Sequence, residues 1–142
     1  MTDQILDAAQ SKRKIAIIGW AGTSRDLAPW ADPTWEKWGL NTMAQHLPYA
    51  QNMQRLYQLH TNADVRKDQT EEPAYWEWMT KNQSIPIYMH FPQPEIPMAV
   101  QYPTEDITKK YRNYFTNTVS WMIAHAIEEE VETIGVWGVD MA

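Results

Sequence analysis

The chain has 142 residues, a usual length for one domain, and 12 Lys and Arg residues stand against 18 Asp and Glu for a net charge of -6. This acidic balance provides no overall field that would attract nucleic acid or an anionic membrane, so we predict neither as a partner. The absence of cysteine excludes disulfides and thiolate-bound zinc or iron–sulfur centres. We expect a single domain over residues 1–142.

The first segment of the chain carries no structural signal. Residues 1–12 are polar and have no lasting hydrophobic period, so we expect a flexible lead-in. Residues 1–9 lack the apolar centre of a signal peptide, and no later segment approaches the length of a membrane span. The sequence therefore predicts a soluble, cytoplasmic protein.

The first predicted strand, residues 14–19, is an apolar run that stops in glycine and hydroxyl residues. Such a run fits a strand buried on both faces of a parallel sheet. Glycines after the strand let the backbone approach a ligand, and free N–H groups beyond the turn can hold an anion, to which hydroxyl and guanidinium groups would add contacts. The residues predicted to bind a ligand here are Gly19, Ala21, Gly22, Thr23, Ser24 and Arg25. The spacing matches neither the dinucleotide nor the Walker glycine motif, so a tight turn without a ligand is the alternative.

The Pro- and Trp-rich stretch that follows is predicted to be a loop with one helical turn. Asp32 can cap this turn with Pro33 in its first position, and Gly39 can end it. Trp35 and Trp38 are three residues apart and would share one face of the turn. Either both cover the edge of the sheet, or one of them lines the ligand pocket.

Two further predicted strands, residues 55–60 and 85–90, each end in a histidine. Ligands bind at the carboxyl ends of strands in open α/β sheets, so His60 and His90 are candidates for a catalytic acid or base. The alternative for each is an ordinary surface histidine. The spacing of the histidines matches no zinc motif, so we do not predict a histidine metal site.

The connections between these strands differ in character. Residues 62–72 are charged and are predicted to be a loop, whereas residues 73–81 fit a short helix with a Glu77 to Lys81 pair. Residues 91–97 contain three prolines and predict a rigid loop that could act as a lid or a partner surface. Apolar residues then recur at steps of three and four over residues 104–127, which predicts one long helix.

The chain closes with a predicted strand over residues 133–139, followed by Asp140. Alternation of strands and helices predicts a Rossmann-like α/β fold with flanking helices around a mostly parallel sheet of about four strands in the order 3-2-1-4. This order places residues 19–24 and Asp140 at one crevice. It also leaves the last strand at an edge, where we predict cover by a second copy of the chain or by another protein.

Three segments resemble a known group of proteins: Ile17-Ile18-Gly19-Trp20-Ala21-Gly22-Thr23-Ser24, residues 32–41, and Ile134-Gly135-Val136-Trp137-Gly138-Val139-Asp140-Met141-Ala142. They are similar to small Rossmann-like proteins of bacteriophage genomes, mostly without assigned activity, which would place the protein in the host cytosol. The closing Gly-Val-Asp-Met also resembles the 6-hydroxymethylpterin diphosphokinase-like group, whose strand-end acid lies by the nucleotide. The phage resemblance implies a further helix and strand after residue 142, so we expect either a truncated chain or a partner that completes the sheet.

Two functional hypotheses follow from these patterns. In the first, the domain binds a nucleotide or nucleotide derivative, and it either sequesters this ligand or docks a partner through its Trp-rich loops. In the second, it is a nucleotide-dependent transferase of the pyrophosphokinase or glycosyltransferase type, in which Asp140 holds Mg²⁺ and His60 or His90 is the acid or base. Asp140 can instead hydrogen-bond a ribose or cap a turn.

Overall fold

A computed structural model of the chain describes residues 12–46, 49–111, 115 and 117–140. Nearly all of the predicted lead-in, residues 1–11, lies outside the described residues, as do residues 141–142.

The centre of the fold is one parallel sheet of six strands. In chain order these are β1 Lys14–Ile18, β2 Trp35–Leu40, β3 Arg55–Gln58, β4 Ile87–Met89, β5 Ala99–Gln101 and β6 Thr133–Trp137. Their order across the sheet is β5-β4-β3-β2-β1-β6, and every neighbouring pair is parallel. The prediction of an α/β fold with a parallel sheet is confirmed. The predicted strand count and order are wrong, because β2 lies between β1 and β3 and β5 adds an outer edge.

Helices cover both faces of this sheet. They are α1 Tyr49–Asn52, α2 Asn62–Glu71, α3 Pro73–Lys81, α4 Thr104–Tyr111 and α5 Thr118–Glu128, with 3-10 helices at Arg25–Leu27 and Asn41–Gln45. Tyr57 of β3 contacts His125 of α5, whereas the adjacent Gln58 bonds Asp68 of α2. Because successive strand residues face opposite sides, α5 and α2 lie on opposite faces of the sheet. No helix in the described part of the chain is long and apolar enough to cross a membrane.

The segment predicted as a helical turn, residues 32–39, is mostly strand β2. Trp35 pairs with Lys14 and Trp38 with Ile17 of β1, so β2 lies inside the sheet. Trp35 and Trp38 therefore point to opposite faces rather than sharing one. Gly39 does not end a turn; a Cβ atom there would collide with Met53. Aromatic residues that suit a pleated surface outweigh the short-range helix signals of this segment.

The connection over residues 62–72, predicted as a loop, contains helix α2. The Thr61 hydroxyl accepts a hydrogen bond from the Asp64 N–H at 3.2 Å and caps this helix. Val65 is its buried anchor, Arg66 and Asp68 are partly buried, and the other charged side chains of the helix are exposed. The predicted helix over residues 73–81 is confirmed as α3.

The single helix predicted over residues 104–127 is two helices, α4 and α5. The Asn117 side chain accepts from the Ser120 N–H at 2.9 Å, which starts α5 as a new helix. Residues 112–114 and 116, between the two, lie outside the described residues. The short strand β5 follows the proline-rich loop and was not predicted, because three residues carry no periodic signal.

Candidate functional site

The loop after β1 lies against the segment that follows β6. The N–H of Gly19 donates to the Trp137 carbonyl at 2.8 Å, and the N–H of Ala21 donates to the Gly138 carbonyl at 2.8 Å. The first predicted loop and the end of the last strand are thus neighbours. These two N–H groups bond the protein itself, so they do not supply the free donors that an anion site needs.

Side chains tie the same two segments together. The Thr23 hydroxyl donates to Asp140 Oδ1 at 2.6 Å, and the Ser24 hydroxyl accepts from the Gly138 N–H at 2.7 Å. We call these two bonds, with the two backbone bonds above, the loop clasp. The clasp gives Asp140 a partner without a metal or a ribose. A ligand or metal role for Thr23, Ser24 and Asp140 stays a prediction.

The glycines of this region divide into two kinds. A Cβ atom on Gly19 would lie 2.5 Å from the Gly138 carbonyl oxygen, and Gly138 itself has a φ of +70°. The clasp therefore needs glycine at both positions. Gly22 is exposed, with no described atom within 4 Å of an added Cβ. The N–H groups of Gly22 and Thr23 have no partner among the described residues and remain available to a ligand.

Arg25, the cation predicted for this loop, is engaged by its own surroundings. Its Nη1 donates to the Trp20 carbonyl at 3.1 Å, and its Nε lies 3.3 Å from Asp26 Oδ1. The guanidinium also lies over the rings of Trp20 and Tyr49, at 5.3 and 5.4 Å. The charge of Arg25 is therefore largely satisfied within the protein.

The two predicted tryptophans differ in accessibility. Trp38 is fully buried, with its ring 5.4 Å from Tyr57 and 5.8 Å from His125, so it belongs to the core. Trp35 is partly exposed and packs edge-on against Trp137 at 5.4 Å. It covers the first and last strands on the opposite face of the sheet from Trp38.

A cavity lies at the same carboxyl edge of the sheet as the loop clasp, but several strands away from it. About 520 Å³ in volume, it lies where β3 and β4 end, and His60 and His90 both line it. A second cavity of about 810 Å³ lies beside it and also includes His90, Phe91 and Trp121. We call the first cavity the carboxyl-edge cleft. Ligands of open α/β sheets bind at this edge.

Aromatic side chains form one wall of the cleft. Phe91, Phe115 and Trp121 line it, with the Phe115 and Trp121 rings 4.6 Å apart. Phe91 is 49% exposed, which is unusual for so large an apolar side chain. Its loop is held by the buried Gln93, which donates to the Phe91 carbonyl at 2.7 Å and to Asn62 Oδ1 at 2.9 Å. The loop that carries Phe91 is therefore held in place by hydrogen bonds within the protein.

The amino ends of α2 and α5 meet at the cleft. Thr61 and Asn117, the capping residues of these helices, both line the cavity, with Thr118 beside them. Helix amino ends carry partial positive charge. None of the described residues that line this cavity is acidic, whereas the second cavity includes Glu105 and Asp106. The cleft is thus suited to a neutral or anionic group.

The two histidines of the cleft have different surroundings. His60 is exposed, whereas His90 is half-buried between the rings of Tyr102 and Trp121. Nδ1 of His90 lies 2.6 Å from the Thr104 hydroxyl. Burial lowers the pKa of His90 below its usual value of 6.5, so its ring is neutral at physiological pH.

Strand order separates the two predicted parts of the transferase mechanism. Asp140 follows β6 and His90 follows β4, four strands apart. At the usual strand spacing this is about 19 Å, and His60 on β3 is about 14 Å away. A metal on Asp140 and a histidine base would therefore not meet at one reacting atom. Among the described residues, no group of three or more His, Asp or Glu side chains could hold a metal ion.

Sequence reasoning identified the histidines of the cleft but not its other walls. Phe91, Phe115 and Trp121 come from three separate segments, and their meeting depends on where α5 crosses the sheet. Two residues of the sequence could have pointed to these walls, namely the capping residues Thr61 and Asn117. Each marks the amino end of a helix that follows other residues of the cleft.

Comparisons with protein-family models, curated proteins and solved structures found no match to this chain. The resemblance to phage proteins and to the pterin diphosphokinase-like group stays a prediction. The functional inference therefore depends on the fold and on the geometry of the cleft.

Proposed function

We propose that the protein binds a nucleotide or a nucleotide derivative in the carboxyl-edge cleft. One observation carries this proposal: an aromatic cavity, with no acidic side chain among the described residues that line it, lies at the strand ends where α/β sheets take ligands. Its volume falls within the range of about 300–1,000 Å³ that is typical of small-molecule sites.

The base of the ligand stacks on the aromatic wall. Phe91 and Trp121 present ring surface to the cavity, and stacking on such rings tolerates any base. The phosphate lies toward Thr61 and Thr118, where hydroxyls and the helix amino ends favour negative charge. The base and the phosphate of the ligand thus bind at two places in the cleft, and neither place includes a residue of the loop clasp.

Binding alone accounts for the groups in the cleft. As a binding protein of the phage type expected from the sequence, it would sequester a nucleotide or present it to a partner. The alternative, a nucleotide-dependent transferase, has the neutral and half-buried His90 in its favour. The distance between the ends of β4 and β6 argues against joint action of His90 and a metal on Asp140.

Fluorine NMR with 5-fluorotryptophan can test where a nucleotide binds. The chain has eight tryptophans, so each gives a resonance that a Trp→Phe variant can assign. We expect AMP to move the resonance of Trp121 and to leave those of Trp20 and Trp137 in place. Movement of Trp20 and Trp137 instead would place the ligand at the loop after β1. No movement with AMP or UMP at millimolar concentration would overturn the proposal.

A matched pair of variants controls for loss of folding. Phe91→Ala removes ring surface from the cleft, and we expect it to weaken AMP binding about tenfold or more. Leu27→Ala shortens a side chain that is 75% exposed in the 3-10 helix after β1, and it should bind AMP as the wild type does. Equal binding by both variants would remove Phe91 from the site.

A further inference from the structure

His90 belongs to both cavities, and its two ring nitrogens have different surroundings. Nδ1 lies 2.6 Å from the Thr104 hydroxyl. Nε2 has no hydrogen-bond partner among the described residues. The buried side-chain atoms that lack a partner in this part of the chain belong to Asn41, Gln58 and Tyr75. Nε2 is therefore not fully buried, and it keeps contact with solvent at the two cavities that His90 lines.

The surroundings of Thr104 decide which nitrogen carries the hydrogen. The Tyr102 carbonyl already accepts from Gln101 Nε2 at 2.8 Å and from the Thr104 N–H at 2.7 Å. The Thr104 hydroxyl is 3.3 Å from this carbonyl, which is longer than an ordinary O–H···O bond. Because the contact with His90 Nδ1 is much shorter, at 2.6 Å, we infer that the hydroxyl donates its hydrogen to Nδ1 rather than to the carbonyl. A neutral imidazole that accepts at Nδ1 carries its hydrogen on Nε2.

We propose that His90 presents an Nε2–H donor to the cleft and thereby selects ligands with an acceptor oxygen, and that Thr104 is the positioning residue that fixes this tautomer. The identity of the ligand as a nucleotide rests on the proposed function above. Of the two cavities that His90 lines, the second includes Glu105 and Asp106, whereas the described lining of the cleft supplies hydroxyls, an amide and helix amino ends but no carboxylate. A phosphoryl oxygen in the cleft therefore fits this donor. In this tautomer neutral His90 has no lone pair at Nε2 with which to act as a base, so the proposal argues against the transferase alternative in which His90 is the base.

The tautomer can be measured without a ligand. In the ¹⁵N-labelled protein at pH 7.5, long-range ¹H–¹⁵N correlation spectra distinguish a ring nitrogen that carries hydrogen from one that does not. We expect His90 to carry its hydrogen on Nε2, and His90→Gln assigns the signals. Thr104→Val should produce a mixture of both tautomers, whereas Thr104→Ser should keep the wild-type pattern. A wild-type ring protonated at Nδ1, or a Thr104→Val spectrum like the wild type, would overturn the proposal.

A second measurement tests the donor against a ligand. Adenosine and AMP share the ring, and only AMP carries the phosphate. We expect His90→Phe to weaken AMP binding about ten- to hundredfold, with little effect on adenosine. Inorganic phosphate at equal concentration shows whether the donor recognises the anion without the ring. Equal loss of adenosine and AMP would assign His90 to ring contact and contradict a donor role.

The two proposals fail in different ways. If the wild type binds AMP and His90→Phe binds it equally well, the donor is wrong while the cleft stands as the binding site. If the wild type binds neither AMP nor adenosine, the proposed function is wrong, and so is the assignment of a nucleotide as the ligand of the His90 donor. In that case the ligand-free spectra still decide whether Thr104 fixes the His90 tautomer.

Discussion

Glu129 is the centre of a partly buried network of charged side chains near the carboxyl end of α5. Its carboxylate accepts from Arg55 at 2.7 and 2.9 Å and from Arg13 at 2.9 Å, and it lies 3.0 Å from His125 Nε2. Burial alone would raise the pKa of Glu129, but the hydrogen bonds from His125, Arg55 and Arg13 outweigh burial. They hold the pKa well below its usual value of 4.5. Glu129 is therefore ionised at neutral pH.

Glu129→Gln should lower the free energy of unfolding at pH 7 by about 1–3 kcal/mol, because Arg55 loses its carboxylate partner. This figure is below that for a fully buried pair, since the Glu129 side chain is 24% exposed. Urea unfolding followed by circular dichroism measures the change. Glu132→Gln is the matched control, because Glu132 is exposed. We expect this variant to unfold at the same urea concentration as the wild type.

The effect of Glu129 should also depend on pH. A depressed pKa in the folded state means that the carboxylate contributes its stabilisation above about pH 4.5, where it is ionised in the unfolded chain too. This contribution is lost as the pH falls below that value toward the folded-state pKa. The difference between wild type and Glu129→Gln should therefore shrink between pH 5 and pH 3. A constant difference would show that packing, and not charge, is responsible.

His90 should give a pH dependence in the same direction as Glu129 but in a higher pH window, because its neutral form is the one that the fold favours. Its pKa is lowered by burial, so as the pH falls through 6.5 the unfolded chain takes up a proton before the folded chain does. The free energy of unfolding therefore decreases as the pH decreases through that window. His90→Gln should reduce this slope between pH 7.5 and 5.5 in urea unfolding. The other titratable groups that line the two cavities, His60, Tyr102, Glu105 and Asp106, are unchanged in both proteins. An identical slope would contradict a buried, neutral His90.

At the scale of elements, Asn117 both caps helix α5 and lines the cleft. Asn117→Ala removes the acceptor for the Ser120 N–H and should lower the free energy of unfolding by about 1 kcal/mol, or roughly 3 °C in melting temperature. Asn117→Ser keeps a capping oxygen and should retain most of that stability. Differential scanning calorimetry measures both variants. An equal loss in the two would show that the cap is not the cause.

Strand β2 is the element for which the structure differs most from sequence expectation. Because Trp35–Leu40 lies between β1 and β3, we expect its amides to exchange with deuterium as slowly as those of Ile15 and Ile17. Hydrogen exchange followed by NMR checks this. A loop with one helical turn would exchange within minutes, and that result would contradict the position of β2.

The elements that sequence could predict were those with long or repeated patterns. The apolar run of β1 and the strands that end in histidine were predicted, and so was the parallel neighbourhood of β1 and β6. β2 was not, because Pro33 and the spacing of Trp35 and Trp38 imitate a helical turn, and only pairing with both neighbours makes the segment a strand. Local pattern cannot supply such non-local pairing.

The candidate site was predictable only in part for the same reason. His60 and His90 were found from their place at strand ends. Residue 104 was predicted to begin a helix, but the bond of Thr104 to His90 depends on β4 lying beside β5. The glycine-rich loop matched a ligand pattern, yet two of its donors, the N–H groups of Gly19 and Ala21, bond the segment that begins at the end of β6.

For the whole molecule, the open edge of the sheet at β6 predicts association. The Trp137 carbonyl bonds β1, so the N–H and carbonyl of Val136 face away from the sheet, and the Val136 side chain is 45% exposed. We propose that a second copy or another protein covers this edge. Light scattering should then show a dimer at high concentration, or a complex with a partner.

Proline substitutions at Gly135 and Val136 can distinguish an effect on association at the β6 edge from an effect on folding. Val136→Pro removes an N–H that faces outward, so it should abolish association while leaving the fold intact. Gly135→Pro removes an N–H that faces β1 and should destabilise the sheet. A wild type that stays monomeric at high concentration, with no partner, would contradict this proposal.

The loop clasp also bears on the order in which the chain can fold during synthesis. Thr23 and Asp140 are separated by 117 positions, and β1 is flanked by one strand made soon after it and one made last among the described strands. Until the ribosome has released β6, one side of β1 has no partner. Until it has released α5, His125 of that helix cannot cover Trp38 and Tyr57. Contacts so distant in sequence form slowly. The nascent chain therefore exposes its most apolar strand for most of its synthesis, which is the condition under which chaperones bind and aggregation competes with folding.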